Sequence, residues 1–391
     1  MVTQLLLTYW KIFLEIYMRR KKMIKGLSLF SNVGIGELNL KKVGVDIVIA
    51  NELKKDRAKF YQHIFPDCKM IVGDIYDKYN QIISQARKEN CNFLIATPPC
   101  QGVSVAGKRD YSDKRNTLII PVLNAINDLN PDYVIIENVP QLLKLKIKYN
   151  NIIDTVEKTI EREFGQKYYI NKEKLINAQD YGVPQNRKRA VILLSKIKPW
   201  NFPNKEAKLI TVKEAIGNLP SVEAIVEGNT NFFKDNSLKI KKCQEINKWH
   251  VPKNHLYRHV EAMMYTPTGR SAFQNLFYYP KKPDGTRIKG YNTTYKRMDW
   301  NKPAPTITMA NGSISSQCNV HPGRLKHDGT YSDARVLTIY EIMKLFTIKD
   351  DWDIPNWASD NFIRNVIGEG VPPLLIEKIV KNIHVEDNDA K

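Results

Sequence analysis

Between Lys25 and Leu194 the chain repeats one figure: a short apolar run, a stretch with helical spacing, then another apolar run. Residues 27–30, 47–50, 70–72, 93–96, 134–136 and 191–194 are too short for helices and carry no polar face, as strands buried on both sides do. Between them, residues 56–65 set Phe60, Tyr61, Ile64 and Phe65 on one stripe, and residues 117–129 read the same way. Such alternation builds crossover units. The predicted fold is therefore α/β, a doubly wound, mostly parallel, Rossmann-like sheet with helices on both faces. Ligands of these sheets bind beyond the carboxyl ends of the strands, so acids, cysteines and glycines just after a strand are the candidate site residues.

The pattern changes after Pro199. Of the net charge of +19, residues 240–302 hold +9, from thirteen Lys or Arg against four acids, with ten aromatic residues interspersed. No helix or strand period runs far there. A solvated basic surface would explain the charge alone. Joined to loops and aromatics, it suits contacts to phosphates and base edges, with Arg258, Arg270, Arg287 and Arg297 as candidates. The overall excess points to a polyanionic partner, for which nucleic acid is the usual one. Helical spacing returns at residues 337–346 and 374–383.

Cys68, Cys91, Cys100, Cys243 and Cys318 are odd in number and form no C-x-x-C pair. They argue against a disulfide scaffold and against a structural metal site, and they fit a reducing cytoplasm. The apolar run at residues 5–18 contains Lys11 and Glu15 and is too short to span a bilayer. Its basic residues follow it, whereas those of a signal peptide come first. Residues 1–22 read as an N-terminal extension or as residues upstream of the true start, because Met23 directly precedes the first strand. No membrane partner is expected.

Four segments carry chemistry. A glycine turn, Gly34-Ile35-Gly36, follows the first strand, a helix is expected from there to about Lys42, and Glu52 ends the second strand. A strand-end acid at that spacing accepts hydrogen bonds from both hydroxyls of a ribose. The full G-x-G-x-x-G is missing, so the turn suits an adenosine ligand without phosphates; the Gly73-Asp74-Ile75 segment after the third strand supplies a further acid, Asp74, that could reach the amino group of an adenine. After the fourth strand, Pro98 and Pro99 fix an extended bend that presents Cys100. Cys100 is a candidate nucleophile if Lys108, Arg109, Lys114 and Arg115 lower its pKa from ~8.5, though a lone cysteine is more often inert and buried. Glu137 ends the fifth strand and faces the same crevice as a candidate acid, where an ordinary surface glutamate is the commoner case. Gln185, Arg187 and Arg189 alternate onto one face, a forked donor set for a base edge or phosphate, or simply a charged edge strand.

In this order the segments resemble the motifs of the DNA (cytosine-5) methyltransferase family, of the bacterial or phage restriction–modification style. The likeness rests on Phe30-Ser31 with the glycine turn, Pro99-Cys100-Gln101, Glu137-Asn138-Val139 and Gln185-x-Arg187-x-Arg189. Arg335-Val-Leu-Thr338 and Gly370-Val-Pro-Pro373 extend it, so that it spans residues 24–383. It implies a catalytic, cofactor-binding domain over residues 23–199 and a target-recognition domain over residues 200–302. Residues 303–391 would then return to the first domain with a C-terminal helix. S-adenosylmethionine is the implied cofactor, double-stranded DNA the partner and a monomer the implied state; a cognate restriction endonuclease would be linked by function and not by contact. Asn32 and Ile35 stand where the family usually has glycine, and Glu369 where it usually has asparagine. These departures fall where the family touches its cofactor.

The resemblance also implies a mechanism. Cys100 would add to ring carbon 6 of cytosine, Glu137 would assist at ring nitrogen 3, Arg189 would hold the carbonyl oxygen, and Arg187 would support the loop or a phosphate. The cofactor ribose would sit on Glu52, its adenine between Phe30 and Ile75 with Asp74 at the edge, and Gly34, Pro99 and Leu118 would lie against it. Gln101 and Ser104 would touch DNA, residues 102–116 would form a lid, and the target base would be flipped out of the duplex. Two alternatives stand beside this reading. One is a tRNA methyltransferase on the same scaffold, disfavoured by the large basic domain; related RNA cytosine methyltransferases use a cysteine near the position of Glu137, and its lack here favours DNA. The other is a catalytically dead DNA-binding relative, disfavoured by Cys100, Glu137 and Arg189.

Overall fold

The computed structural model describes residues 23–99 and 117–384. The expectations for residues 1–22 and 102–116, and for Cys100, Gln101 and Ser104, lie outside the described residues.

Ten strands concern the first domain: β1 Ile24–Leu29, β2 Val45–Glu52, β3 Lys69–Val72, β4 Phe93–Ala96, β5 Tyr133–Asn138, β6 Lys146–Tyr149, β7 Ile152–Thr155, β8 Tyr169–Ile170, β9 Leu175–Asn177 and β10 Lys188–Ser195. The main sheet has the order β3-β2-β1-β4-β5-β10-β8, with β9 also on β10, while β6 and β7 form a separate hairpin. Strands β1 to β5 are parallel, and β10 runs antiparallel to β5. All six expected strands are present. The chain leaves β1 towards β2 on one side, and β4 closes the other, so a crevice opens at the carboxyl end of β1.

Helices α1 Lys55–Ile64, α2 Ile75–Lys88, α3 Ile119–Leu129 and α4 Val156–Phe164 belong to this half of the chain. On one face of the sheet Leu27, Leu29 and Leu94 pack with Ile82 and Ile83 of α2 and Val122 and Ile126 of α3. The later helices are α5 Val212–Ile216, α6 Asn236–Ile246, α7 Tyr257–Met264, α8 Ile339–Leu345, α9 Asp360–Glu369 and α10 Pro373–Lys381. On the other face Ile47, Phe93, Ile95 and Ile135 pack with Leu375, Ile376 and Ile379 of α10. The end of the chain thus covers a sheet built by its beginning. Each such buried side chain contributes roughly 1.5–3 kcal/mol, and burial on both faces is why the strands read as unbroken apolar runs.

Three sequence expectations need correction. The segment after the glycine turn is not a helix to Lys42 but two short 3-10 turns, Ile35–Glu37 and Leu40–Val43. Val33 and Ile35 are buried in the core built around α8, whereas Leu40 is buried against β2, so no single helical stripe serves this segment. The basic stretch, which showed no sustained period, contains α6 and α7. Its core joins Val226, Val260, Met263 and Tyr295 to Ile314, Val320 and Val336, reaching past residue 302, while Val212 and Ile216 pack with α8 instead. Among the described residues no helix is long and apolar enough to cross a membrane, and no group of three His, Cys, Asp or Glu could hold a metal ion.

Candidate active site

Strand β1 ends in a strained reversal. Phe30 and Asn32 both adopt positive φ, 59° and 51°, and Gly34 follows at 75°. Ser31 N donates to Asn51 O at 3.0 Å and Gly34 N to Ser31 O at 2.9 Å. A bulky residue such as Phe30 pays about 1–3 kcal/mol for this backbone, a cost found mostly at functional sites. Asparagine tolerates the left-handed region better than other side-chain-bearing residues, which explains how Asn32 stands at a glycine position. The turn also orients Glu52: its Oε2 accepts from Asn32 N and its Oε1 from Lys54 N, both at 2.9 Å. Each oxygen keeps a lone pair for the crevice.

The crevice is a cavity of about 560 Å³. Phe30, Ile75, Pro99 and Leu118 give it apolar walls, and Glu52 and Asp74 lie along it. Asp74 is also the N-cap of α2, accepting from Tyr76 N at 2.8 Å. Gly34, expected on this wall, is not part of it. A Cβ there would lie 2.4 Å from Phe65 Cε2 and 2.9 Å from Tyr61 Cε2, so the glycine lets the turn pack on α1, while Gly36 faces the cavity.

Glu137 and Arg189 belong to the wall of the same cavity. Antiparallel pairing of β5 with β10 sets Val191 opposite Glu137 and brings Arg189 Nε to 2.9 Å from Glu137 Oε1. Glu137 is only 6% exposed. Burial pushes its carboxyl pKa up, and the Arg189 and Arg187 charges oppose the shift. Asn138 Nδ2 donates to Pro98 O at 2.7 Å, tying the end of β5 to the proline bend that leads to Cys100.

Gln185, Arg187 and Arg189 do not act as one fork. Arg187 is buried, with Nη1 donating to Ile307 O at 3.0 Å and Nη2 to Gly370 O at 2.7 Å and Gly368 O at 3.2 Å. Gln185 is buried too, its Oε1 accepting from Ile307 N at 3.2 Å. Both hold the returning chain onto the sheet, and Arg189 is the member paired with Glu137. Arg297 likewise departs from its expected DNA contact. It is fully buried, and its guanidinium donates to the carbonyls of Met263, His321 and Asp333. Arg270 and Arg287 are exposed, Arg287 lying over the Tyr279 ring at 4.6 Å, and Arg258 is half-buried.

Sequence reasoning missed several residues of the cavity wall, among them Glu37, Arg57, Thr306 and Thr308. The threonines come from a loop without charge or glycine to mark it. Arg57 lies in the first turn of α1, one turn beyond Glu52, and that spacing was the available signal. Its Nη1 is 2.5 Å from Glu369 Oε2.

The profile of the C-5 cytosine-specific DNA methylases matches residues 24–385. The Type II methyltransferase M1.HgaI of Avibacterium volantium is 48% identical over 375 residues, covering 94% of this chain and 100% of that protein. Two solved structures share the fold. A protein encoded within an E. coli prophage superposes with a TM-score of 0.64 at 21% identity, covering 92% of this chain and 98% of that one. The Entamoeba histolytica methyltransferase EhMeth gives 0.58 at 15% identity, covering 93% and 98%. Family match and site geometry agree, and the chain belongs to the C-5 cytosine-specific DNA methylases, enzymes that move a methyl group from a methyl donor to DNA.

Proposed function

We propose that the enzyme methylates a cytosine within a specific double-stranded DNA sequence, with S-adenosylmethionine as donor, Cys100 as nucleophile and the target base flipped into the cavity. The observation that carries this reading is the buried Glu137–Arg189 pair, which shares one cavity with Glu52 and the Phe30 turn. Those residues fit the donor: Glu52 offers fixed acceptors for a ribose, and Phe30 and Ile75 offer apolar faces for an adenine with Asp74 beside it. When bound, S-adenosylmethionine supplies an electrophilic methyl group on sulfur.

Carbon 5 of cytosine is too weak a nucleophile to take that methyl unaided. Addition of the Cys100 thiolate to carbon 6 breaks the ring's aromaticity and makes carbon 5 enamine-like. Negative charge then gathers on ring nitrogen 3. Glu137, with its pKa raised by burial, donates a proton or hydrogen bond there, and Arg189 donates to the carbonyl oxygen on carbon 2. Once carbon 5 carries the methyl group, loss of its proton to a base restores the double bond and expels the Cys100 sulfur. Flipping the base out of the duplex costs a few kcal/mol, and the cavity offsets this through contacts to the base edge.

Target recognition belongs to the smaller basic domain, where Arg270 and Arg287 are exposed and Arg287 lies over the Tyr279 ring. The Type II naming of the A. volantium relative supports a companion restriction endonuclease, acting on the same DNA without contact to this chain; a cytoplasmic monomer suits such a role. A duplex carrying 5-fluorocytosine tests the chemistry, because fluorine cannot leave as the proton does. The wild type should form a covalent adduct that maps to Cys100, and Cys100→Ser should bind DNA without forming one. An adduct on Cys68 or Cys91 would refute the assignment. Bisulfite sequencing of DNA from expressing cells reads out the methylated site.

A further inference from the structure

Four cations line the cavity: Lys54, Arg57, Arg187 and Arg189. Arg187 is spent on three backbone carbonyls, Arg189 with its partner Glu137 is assigned above to the target base, and Lys54 is an exposed residue whose ammonium is free to remain in water. Arg57 differs from all three. Its side chain is 12% exposed and faces Glu369, whose side chain is 22% exposed, with Nη1 and Oε2 2.5 Å apart. The pair joins the first turn of α1 to the last residue of α9. It sits on the wall shared with Glu52 and the Phe30 turn and is accessible enough to exchange partners.

A cavity for a neutral nucleoside has no use for a cation and an anion side by side. The donor assigned above carries both charges at one end, an α-ammonium and an α-carboxylate. We propose that Arg57 and Glu369 are the receptor for that amino-acid end: the carboxylate docks on Arg57, the ammonium on Glu369, and the four charges close a head-to-tail ring. The inference rests on the assignment of S-adenosylmethionine. It gives Glu369, which stands where the family usually has asparagine, a positioning role in partnership with Arg57. The guanidinium presents its donors as a planar fork to both carboxylates, which a lysine at position 57 would not do.

Calorimetric titration with three probes tests this without any turnover. S-adenosylhomocysteine carries both charges, its decarboxylated analogue carries the ammonium alone, and 5′-methylthioadenosine carries neither. Arg57→Ala should weaken S-adenosylhomocysteine at least tenfold and leave the other two within about twofold, as one lost charge-assisted contact of ~1.5 kcal/mol requires. Glu369→Gln should weaken S-adenosylhomocysteine and the decarboxylated analogue while sparing 5′-methylthioadenosine. Should Arg57→Ala fail to fold, Arg57→Gln keeps a hydrogen bond to Glu369 and must give the same ranking. Equal losses for all three probes would reduce the pair to a structural clasp and overturn the proposal, as would no loss at all. A wild-type protein that binds none of the probes would instead overturn the donor assignment itself.

Discussion

The least expected group at the donor end of the cavity is Glu37. Its carboxyl lies under the glycine turn, 6% exposed, accepting from Ser28 Oγ at 2.6 Å and from Tyr61 Oη. Ser31 Oγ donates in turn to Ser28 Oγ at 2.8 Å. Burial pushes its pKa from 4.5 up to about 7, against the lowering effect of the two hydroxyl donors. In the unfolded chain the proton leaves near pH 4.5, while in the folded protein it stays until about pH 7. Within that window the native state holds the extra proton, so stability falls as pH rises, by about 1.4 kcal/mol per pH unit. The whole loss is about 3 kcal/mol, complete above pH 8 and absent below pH 4. Glu37→Gln removes it. The amide cannot accept from both hydroxyls, which costs about 1 kcal/mol at every pH. The readout is therefore the pH dependence of the difference, not its value at one pH. Urea unfolding of both proteins at intervals from pH 4 to pH 8 should show the variant gaining about 3 kcal/mol on the wild type across the range. Other titrating groups, including Asp333 and Glu341, cancel in that difference. Parallel pH curves would refute the reasoning and mean that Glu37 loses its proton over the same pH range in the folded protein as in the unfolded chain.

Glu137→Gln should lower turnover by about 10²–10⁴ while S-adenosylhomocysteine binds as before, because the lost group serves the base and not the donor. Arg297→Met should cost roughly 2–5 kcal/mol in urea unfolding, since three buried carbonyls lose their donor. Arg270→Ala and Arg287→Ala should leave stability within about 0.5 kcal/mol. Each should reduce the salt slope of DNA binding by about one, or relax the site preference in bisulfite maps. Removing residues 1–22 should preserve methylation, because β1 begins at Ile24; an inactive truncation would show that the segment is needed. Gly370→Ala should be destabilising, because its new Cβ would lie 3.0 Å from Ile35 Cδ1 and 3.2 Å from Ile35 Cβ. In an Ile35→Gly background the same change should cost at least about 0.5 kcal/mol less, and additive costs would show that the two sites are uncoupled.

Much of the architecture was legible because a parallel sheet writes itself as apolar runs. Phe93–Ala96 is buried at every residue and was bounded without error. Glu52 and Glu137 were legible for the same reason: an acid directly after such a run stands at a strand tip, and strand tips line the crevice. Side-chain direction was not legible. Period two puts Gln185, Arg187 and Arg189 on one face only while the strand is regular, and β10 begins at Lys188. Gln185 and Arg187 precede it, and the loop at residues 304–308 together with the end of α9 and Gly370 covers them. Arg297 was misread by the same failing. Its charge suited a phosphate, and nothing local announced that carbonyls from residues 263, 321 and 333 would converge on it.

The departures from the family pattern were read singly, whereas each has a partner elsewhere in the chain. Asn32 replaces a glycine at φ 51°, which its side chain tolerates, and its Nδ2 donates to Val366 O at 3.3 Å, fastening the turn to α9. Ile35 fills space against Gly370, so the residue gained at one motif depends on the residue withheld at another. Glu369 is charged where an amide is usual, and Arg57 supplies the opposite charge. All three contacts join the segment after β1 or β2 to α9 or the residue following it. The donor end of the cavity is thus assembled from two regions more than 300 residues apart, and a change on either side is tolerable only with its counterpart. That dependence also explains why Arg187, which anchors the carbonyls of Gly368 and Gly370, is buried when Arg189 is not fully so: it holds the α9 terminus in the register on which the other contacts depend.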